Sequence, residues 1–185
     1  MRTLKSSLLI LAVALATFPA AAAIKAMNLA ELMTVTTDAA HVRILEKSTF
    51  HLAYPFPEAV YTKLHVKGVS LRTEKPVDTD LVFLGSQDPA DHYGISEMPT
   101  LQDTRVGSDV IVFFQHDTDF PGTANVVHDL GEVYRVEKAF GAPVVIGKGD
   151  GFAFAENTKL DVAEAKIRQT HLALATSNPK SGNGK

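Results

Sequence analysis

Residues 60–66, with the sequence Val-Tyr-Thr-Lys-Leu-His-Val, decide the fold class. Alternate residues of an extended chain lie on opposite faces. Here one face carries Val60, Thr62, Leu64 and Val66, and the other carries Tyr61, Lys63, His65 and Lys67. This period of two is typical of an antiparallel strand that packs on one side and meets water on the other. The charged face fits a solvated sheet surface, and it could also bind an acidic sugar or a protein strand.

Further extended stretches predict a mainly β fold. Residues 110–114, Val-Ile-Val-Phe-Phe, are the most apolar stretch after residue 23 and predict the central strand. Other strands are predicted from residue 39 onward, with a shift of face at Leu45, and over 81–84, 132–136, 143–146 and 152–155; long loops are expected over 86–105 and 116–131. Because the strands do not alternate with helices, we expect an antiparallel small barrel or sandwich and not a parallel doubly wound sheet.

Two helices are expected at the ends of the β region. A short N-terminal helix begins at Leu29, where Asn28 is a suitable N-cap and Glu31 follows it after three residues. A C-terminal helix is predicted from Leu160 to about Ala175, because Thr158 and Asp161 have the spacing of a capping box. Its apolar stripe consists of Leu160, Ala163, Ile167, Thr170 and Leu174.

The first 23 residues have the pattern of a secretory signal peptide. Arg2 and Lys5 precede an apolar run over 8–16, and Pro19 and four alanines over 20–23 follow it. We therefore predict three segments, which are a signal peptide over 1–23, a single β-rich domain over 24–176 and a disordered tail over 177–185. The protein is then exported to the periplasm or the extracellular space, with no membrane span after signal cleavage.

The mature chain is acidic and lacks cysteine. Removal of residues 1–23 leaves 162 of the 185 residues and changes the formal net charge from −3 to −5, because Arg2 and Lys5 are the only charged residues removed. An acidic chain argues against nucleic acid as a partner. The absence of cysteine excludes thiol nucleophiles, iron–sulfur ligation and disulfides, so packing alone has to hold the core.

The familiar catalytic motifs are absent from the sequence. Residues 94–98, Gly-Ile-Ser-Glu-Met, begin like a nucleophile elbow but have Met98 where the second glycine belongs. Residues 147–151, Gly-Lys-Gly-Asp-Gly, lack the spacing and the Lys-Ser/Thr pair of a phosphate-binding loop, and they predict a hairpin turn. We therefore assign no catalytic residue and no cofactor, and the sequence favours a protein that is not an enzyme without excluding an enzyme.

His116, Asp119 and His128 are the candidate metal ligands. Imidazole and carboxylate groups in a loop after the central strand could hold a divalent ion if the three side chains converge. The competing interpretation is a solvated loop whose polar residues cap turns. The other long loop carries a second polar cluster, which could supply paired carboxylates for acid–base work but is explained more simply by turn formation: Asp88, Asp91, His92, Glu97 and Asp103.

Several short stretches together resemble a family of uncharacterised exported bacterial proteins with a small OB/netrin-like β-barrel domain. These stretches are residues 29–33, 61–62 leading to 66–68, 98–99 before 106–107, 110–114 and 144–147. The resemblance spans most of the mature chain. It implies export and a β-barrel, and it implies no catalytic activity.

Three functions are consistent with these observations. The leading hypothesis is a non-enzymatic exported β-barrel domain that binds an extracytoplasmic protein or a polysaccharide, because long polar loops stand on a compact β scaffold. The second is a metal-dependent hydrolase that uses His116, Asp119 and His128. The third, by analogy with netrin-like barrels, is a peptidase-inhibitor-like module.

Overall fold

The computed structural model describes residues 26–52, 59–88, 98–118, 124–139 and 141–177. In this part of the chain the strands are β1 (Asp38–His51), β2 (Val60–Ser70), β3 (Pro76–Leu84), β4 (Asp109–Asp117), β5 (Ala124–Val126), β6 (Val133–Ala139), β7 (Ala142–Val145) and β8 (Thr158–Lys159). Helix α1 (Leu29–Val35) precedes the strands, and helix α2 (Leu160–Ser177) follows them. The predicted mainly β fold, with a short N-terminal helix and a C-terminal helix, is confirmed.

Five of the strands close into a barrel. Neighbouring strands pair in the order β1-β2-β3-β5-β4, and residues 109–114 of β4 pair back with residues 38–43 of β1. All of these pairings are antiparallel except the pairing of β3 with β5, which is parallel. Of the two architectures that the sequence allows, the structure is therefore the barrel.

Strand β4 is apolar along most of its length because both of its faces are buried. Val110, Val112 and Phe114 lie in the barrel core, where they pack with residues of β1, β2 and β3. Ile111 and Phe113 lie on the other face, in a second apolar cluster to which both helices contribute. A strand that is buried on both faces has no need of polar residues at alternate positions. This explains the continuous apolar run over 110–114.

The second apolar cluster joins the barrel to the helices. Residues 109–112 of β4 also pair with β6, and the sheet continues from β6 through β7 to β8. Tyr134 of β6 is fully buried in this cluster and meets the rings of Phe113 and Phe154 edge to face. Ala163 and Ile167 of α2 contribute the buried face of that helix. The helices therefore cover the outside of the barrel and do not enter its core.

Strands β1 and β2 follow the alternation that the sequence predicts. The positions predicted to face inward in β2, from Val60 to Val66, are buried, and the positions between them are partly exposed. The shift of face predicted at Leu45 is a β-bulge between Ile44 and Glu46. Beyond the bulge Lys47 is partly buried and Glu46 is exposed, so the bulge turns an amine toward the interior.

Three local predictions are wrong. The loop expected over 116–131 contains β5, which is too short to show a period but completes the barrel between β3 and β4. Residues 152–155 form no strand, because Phe154 is buried by packing in the second apolar cluster and not by pairing in a sheet. Thr158 does not cap α2, because it pairs with Val145 in β8.

Helix α1 begins as the sequence predicts and ends on a contact distant in sequence. Asn28 Oδ1 accepts a hydrogen bond from the Glu31 backbone N–H over 3.1 Å, and Glu31 Oε2 accepts one from the Asn28 N–H over 3.0 Å, which completes a capping box. At the other end, Arg72 Nη2 donates to the carbonyl oxygens of Met33 and Thr36 over 2.7 and 2.9 Å. A guanidinium at this position complements the negative end of the helix dipole.

Within the described residues, neither helix combines the length and the apolar character needed to cross a membrane.

Candidate functional site

The connection between β3 and β4 meets the turn that follows β7, and a cavity of about 640 Å³ lies between them. Residues 100–103 of the connection line one side, and residues 146–148 and Phe152 of the turn line the other. Arg135 of β6 lies at one end. We call this space the main cavity. Its lining mixes apolar and charged side chains, as is typical of ligand sites.

An ion pair between Asp103 and Lys148 forms the floor of the main cavity. Lys148 Nζ lies 2.9 Å from Asp103 Oδ2, and the two side chains are 12% and 7% exposed. Thr100 Oγ1 donates a second hydrogen bond to the same oxygen over 2.8 Å. Because loss of one partner would leave a buried charge unpaired, the two side chains hold each other in place.

Tyr134 lies beside this ion pair. Lys148 Nζ is 5.5 Å from the centroid of the tyrosine ring, which is a cation–π distance. The Tyr134 hydroxyl oxygen accepts a hydrogen bond from the Ala153 backbone N–H over 3.2 Å. Burial raises the pKa of Tyr134, so its hydroxyl stays neutral. The ring therefore ties both Lys148 and the chain at Ala153 to the second apolar cluster.

Backbone hydrogen bonds fix the turn that carries Lys148. The Ile146 N–H donates to the Arg135 carbonyl over 3.0 Å, and the Lys148 N–H donates to the Phe154 carbonyl over 2.9 Å. The glycine-rich turn predicted over 147–151 is thus anchored on β6 at one side and on the buried chain at residue 154 at the other. These hydrogen bonds fix the backbone at Lys148, for which the sequence predicted only a hairpin turn.

A polar cluster fixes the opposite side of the main cavity. Gln87 Oε1 accepts hydrogen bonds from Thr104 Oγ1 over 2.7 Å and from Lys47 Nζ over 2.5 Å, and Gln87 Nε2 donates to the Pro99 carbonyl. Burial lowers the pKa of the Lys47 amine. The cluster binds the segment over 99–104 to β1, so this wall of the main cavity rests on the barrel and the other rests on β6.

The walls of the main cavity are apolar above the ion pair. Leu101 is 62% exposed on one wall. Ile146 and Phe152 are partly exposed on the opposite wall. An apolar surface that faces a polar floor can contact the carbon-bound hydrogens of a ligand while the floor bonds to its polar atoms.

A second cavity of about 280 Å³ adjoins the main cavity, and we call it the side cavity. Gln102 and Arg135 line both spaces, and Arg135 Nη1 donates a hydrogen bond to Gln102 Oε1 between them. The rest of the side cavity is lined by Arg105, Ser108, Val136 and Glu137. We call the two cavities together the groove.

The charged face of β2, which the sequence singled out, is neutralised by β3. His65 lies with Nδ1 3.0 Å from Asp80 Oδ1 and with Nε2 3.4 Å from Asp78 Oδ1. Lys63 pairs with Asp80 over 3.3 Å, and Lys67 pairs with Asp78 over 3.2 Å. The alternation within β2 does not indicate these carboxylates. They belong to β3, and only the register of β3 against β2 brings them beside His65 and the two lysines. The face is therefore a ladder of ion pairs beside a cavity of about 300 Å³.

Two of the three candidate metal ligands lie in the described part of the chain. His116 Nδ1 lies 3.1 Å from Asn125 Oδ1, across the pairing of β4 with β5. The His128 side chain is exposed, and its backbone N–H donates to Glu132 Oε2 over 2.8 Å. Asp119 lies outside the described residues. No group of three His, Asp or Glu side chains within those residues has the geometry of a metal site, and the three-residue site stays a prediction.

The polar cluster that the sequence predicts in the loop over 86–105 contributes one described residue, Asp103, to the groove. Asp103 is buried in the ion pair with Lys148, which is a stronger role than the solvated turn expected from the sequence. Asp88 lies at the edge of the described chain, where its N–H donates to Ser86 Oγ over 3.0 Å. The other members, Asp91, His92 and Glu97, lie outside the described residues.

Comparison with known proteins gives no relative: no family model matches the chain, and no curated protein or solved structure is significantly similar to it.

Proposed function

We propose that the protein is an exported β-barrel binding module and that it holds a segment of polysaccharide in the groove. The observation that carries the proposal is the main cavity, where exposed apolar walls face a fixed ion pair between Asp103 and Lys148. Export rests on the signal-peptide pattern of residues 1–23. The absence of catalytic motifs from the sequence favours binding over chemistry.

The lining of the main cavity suits a sugar. A pyranose presents hydroxyl groups at its edge and carbon-bound hydrogens on its faces. Asp103 and Gln102 offer acceptors, and Lys148 and Arg135 offer donors, so both halves of a hydroxyl group can be satisfied. Leu101 and the other wall residues supply apolar contact for the faces of the ring. The polar side chains of the lining are held in pairs in the free protein, Asp103 with Lys148 and Gln102 with Arg135, which lowers the entropic cost of binding.

The ladder on β2 and β3 is the competing surface, and its polar lining argues against it. Each basic side chain from Lys63 to Lys67 already lies within 3.4 Å of a carboxylate oxygen. The cavity over these pairs is lined by polar side chains alone, so it offers no apolar contact to the face of a sugar ring. The main cavity is larger, at about 640 Å³, and it has apolar walls, so we place the ligand there.

We also propose that the barrel is OB-like. The closed order β1-β2-β3-β5-β4, with β3 and β5 parallel, supports this assignment. OB barrels bind oligosaccharides and oligonucleotides, commonly on strands 2 and 3 and on two of the loops. In this protein the ion-pair ladder occupies that face. The proposed ligand site therefore lies on the far side of β4, where β6 and β7 extend the barrel.

The test is binding of the purified mature protein to a glycan microarray, followed by calorimetry with the oligosaccharide that binds most tightly. We expect Leu101→Ser to weaken this binding about tenfold, because it removes apolar contact from one wall. Leu101 is 62% exposed and Leu172 of α2 is 64% exposed, so Leu172→Ser is a control of matched chemistry and exposure. The control should leave the affinity unchanged.

A second variant tests whether the ion pair on the floor of the main cavity also contributes to binding. The double variant Asp103→Asn with Lys148→Gln keeps a hydrogen-bonding pair without charge, so it avoids the unpaired charge that either single change would bury. It should keep its thermal unfolding midpoint within a few degrees and lose glycan binding. Failure of the wild-type protein to bind any glycan, together with stable capture of a peptidase or another secreted protein, would replace the polysaccharide with a protein partner.

A further inference from the structure

We infer that the polysaccharide is acidic and that the side cavity binds a carboxylate group of one of its sugar residues. This inference rests on the proposed function, and it adds the substrate class. The observations that carry it are the two arginines of the side cavity, Arg105 and Arg135, and their incomplete neutralisation.

Arg135 has hydrogen-bonding capacity left over. Its Nη1 donates to Gln102 Oε1. Its Nε is buried and lies 3.0 Å from Glu137 Oε1, but not in the geometry of a hydrogen bond. A guanidinium carries five N–H donors in a fixed plane and bonds carboxylates through two of them at once. Arg135 is thus positioned by its neighbours and still able to bind an incoming carboxylate.

Arg105 supplies the positive charge that the groove does not compensate. Its side chain is exposed at the rim of the side cavity, and it forms no ion pair with any residue that the structure describes. Within the groove, Asp103 balances Lys148, and Glu137 lies against Arg135. The remaining charge of Arg105 gives the groove a net positive charge in a protein that is acidic as a whole. Charge complementarity therefore selects an anionic ligand here.

The arrangement of the two cavities suits a polymer. The hydrogen bond between Arg135 and Gln102 separates a larger space with apolar walls from a smaller space with two arginines. Adjacent sugar residues of one chain can occupy the two spaces, with a ring against Leu101 and a carboxylate against Arg105. A uronic acid unit carries both the ring and the carboxylate that this pattern needs.

The experiment compares α-1,4-linked hexagalacturonate with its methyl ester, which has the same shape without the charge. We expect the acid to bind the wild-type protein about tenfold more tightly than the ester, and this difference to shrink as salt is added. Arg105→Gln should remove the preference for the acid, because it lowers the affinity for the acid more than the affinity for the ester. Lys67→Gln removes a cation from the ladder, so it should keep the preference for the acid.

The outcomes separate this inference from the proposed function. If the acid and the ester bind equally and both lose affinity in Leu101→Ser, the polysaccharide site stands and the acidic ligand is wrong. If Lys67→Gln and not Arg105→Gln removes the preference, the carboxylate binds on the ladder and the inference is wrong. If poly-glutamate binds more tightly than hexagalacturonate, the ligand is an acidic peptide, and the inference is again overturned. Circular dichroism on each variant confirms that the fold is kept.

Discussion

Glu132 is a buried carboxyl group that the groove does not use. It is 2% exposed and ends the short 3-10 turn Leu130–Glu132. Burial raises its pKa to about 8, although the backbone N–H groups of His128 and Asp129 favour the ionised form. A carboxyl whose pKa rises on folding stabilises the folded state most at low pH. That contribution is complete below the ordinary pKa of 4.5 and is lost as the pH rises through about 8.

Replacement of this carboxyl should flatten the dependence of stability on pH. Glu132→Gln keeps an oxygen that can accept the His128 N–H but cannot ionise. We expect the free energy of unfolding of the variant, relative to the wild type, to increase by about 2 to 3 kcal/mol between pH 5 and pH 8. Urea denaturation at both pH values measures the difference. Glu156→Gln changes an exposed carboxylate and should show no such trend; a parallel trend in both variants would place the effect elsewhere.

Single residues of the groove were the hardest part to predict from the sequence. Asp103 lies in a polar loop and Lys148 in a glycine-rich turn, and each local pattern is explained by the turn alone. Their roles arise because the fold brings residues 45 positions apart to within 2.9 Å. Sequence patterns over a few residues do not report a contact of that kind. His65 is similar, since its carboxylate partners depend on the register of β3.

Elements with a long and regular pattern were predictable, and short ones were not. Strands β2 and β4 and helix α1 were predicted because alternation, an apolar run and a capping box are each properties of neighbouring residues. Strand β5 was missed because three residues cannot show a period. Residues 152–155 were predicted as a strand because their apolar pattern is the same whether a sheet or side-chain packing buries Phe154.

The pairing of β1 with β2 depends on the absence of a side chain at Gly68. A Cβ atom at this position would lie 2.0 Å from the His41 carbonyl oxygen and 2.6 Å from Val42 Cα. Both are backbone atoms of the neighbouring strand, so they cannot turn away as a side chain could. The close approach explains why β2 carries a glycine within its length and continues to Ser70 without a bulge there.

Substitution at Gly68 should therefore destabilise the barrel strongly. We expect Gly68→Ala to lower the free energy of unfolding by about 3 kcal/mol, as in overpacked cores. Gly107→Ala is the control: its φ of 87° costs about 1 kcal/mol for a residue with a Cβ, but nothing lies within 4 Å of that atom. Chemical denaturation compares the two variants. Equal losses would show that backbone conformation, and not the contact with β1, decides the effect.

At the scale of the whole molecule, two apolar clusters meet at β4, and β1 and β6 also contribute residues to both. Strand β4 supplies the barrel core with one face and the helix-covered cluster with the other. Its pairing with both β5 and β6 lets β6 and β7 extend away from the barrel, and the groove forms where this extension meets the connection between β3 and β4. The fold class followed from the sequence, whereas the groove required the pairing order.

Mapping of the bound glycan by nuclear magnetic resonance tests the location of the site. The probe is hexagalacturonate, titrated into the isotopically labelled mature protein while backbone amide shifts are followed. We expect the largest shift changes over residues 100–108, 135–137 and 146–152, with small changes over 61–67 and 76–84. The largest changes over 61–67 and 76–84, with residues 100–108 unaffected, would place the ligand on the ladder and contradict the groove as the binding site.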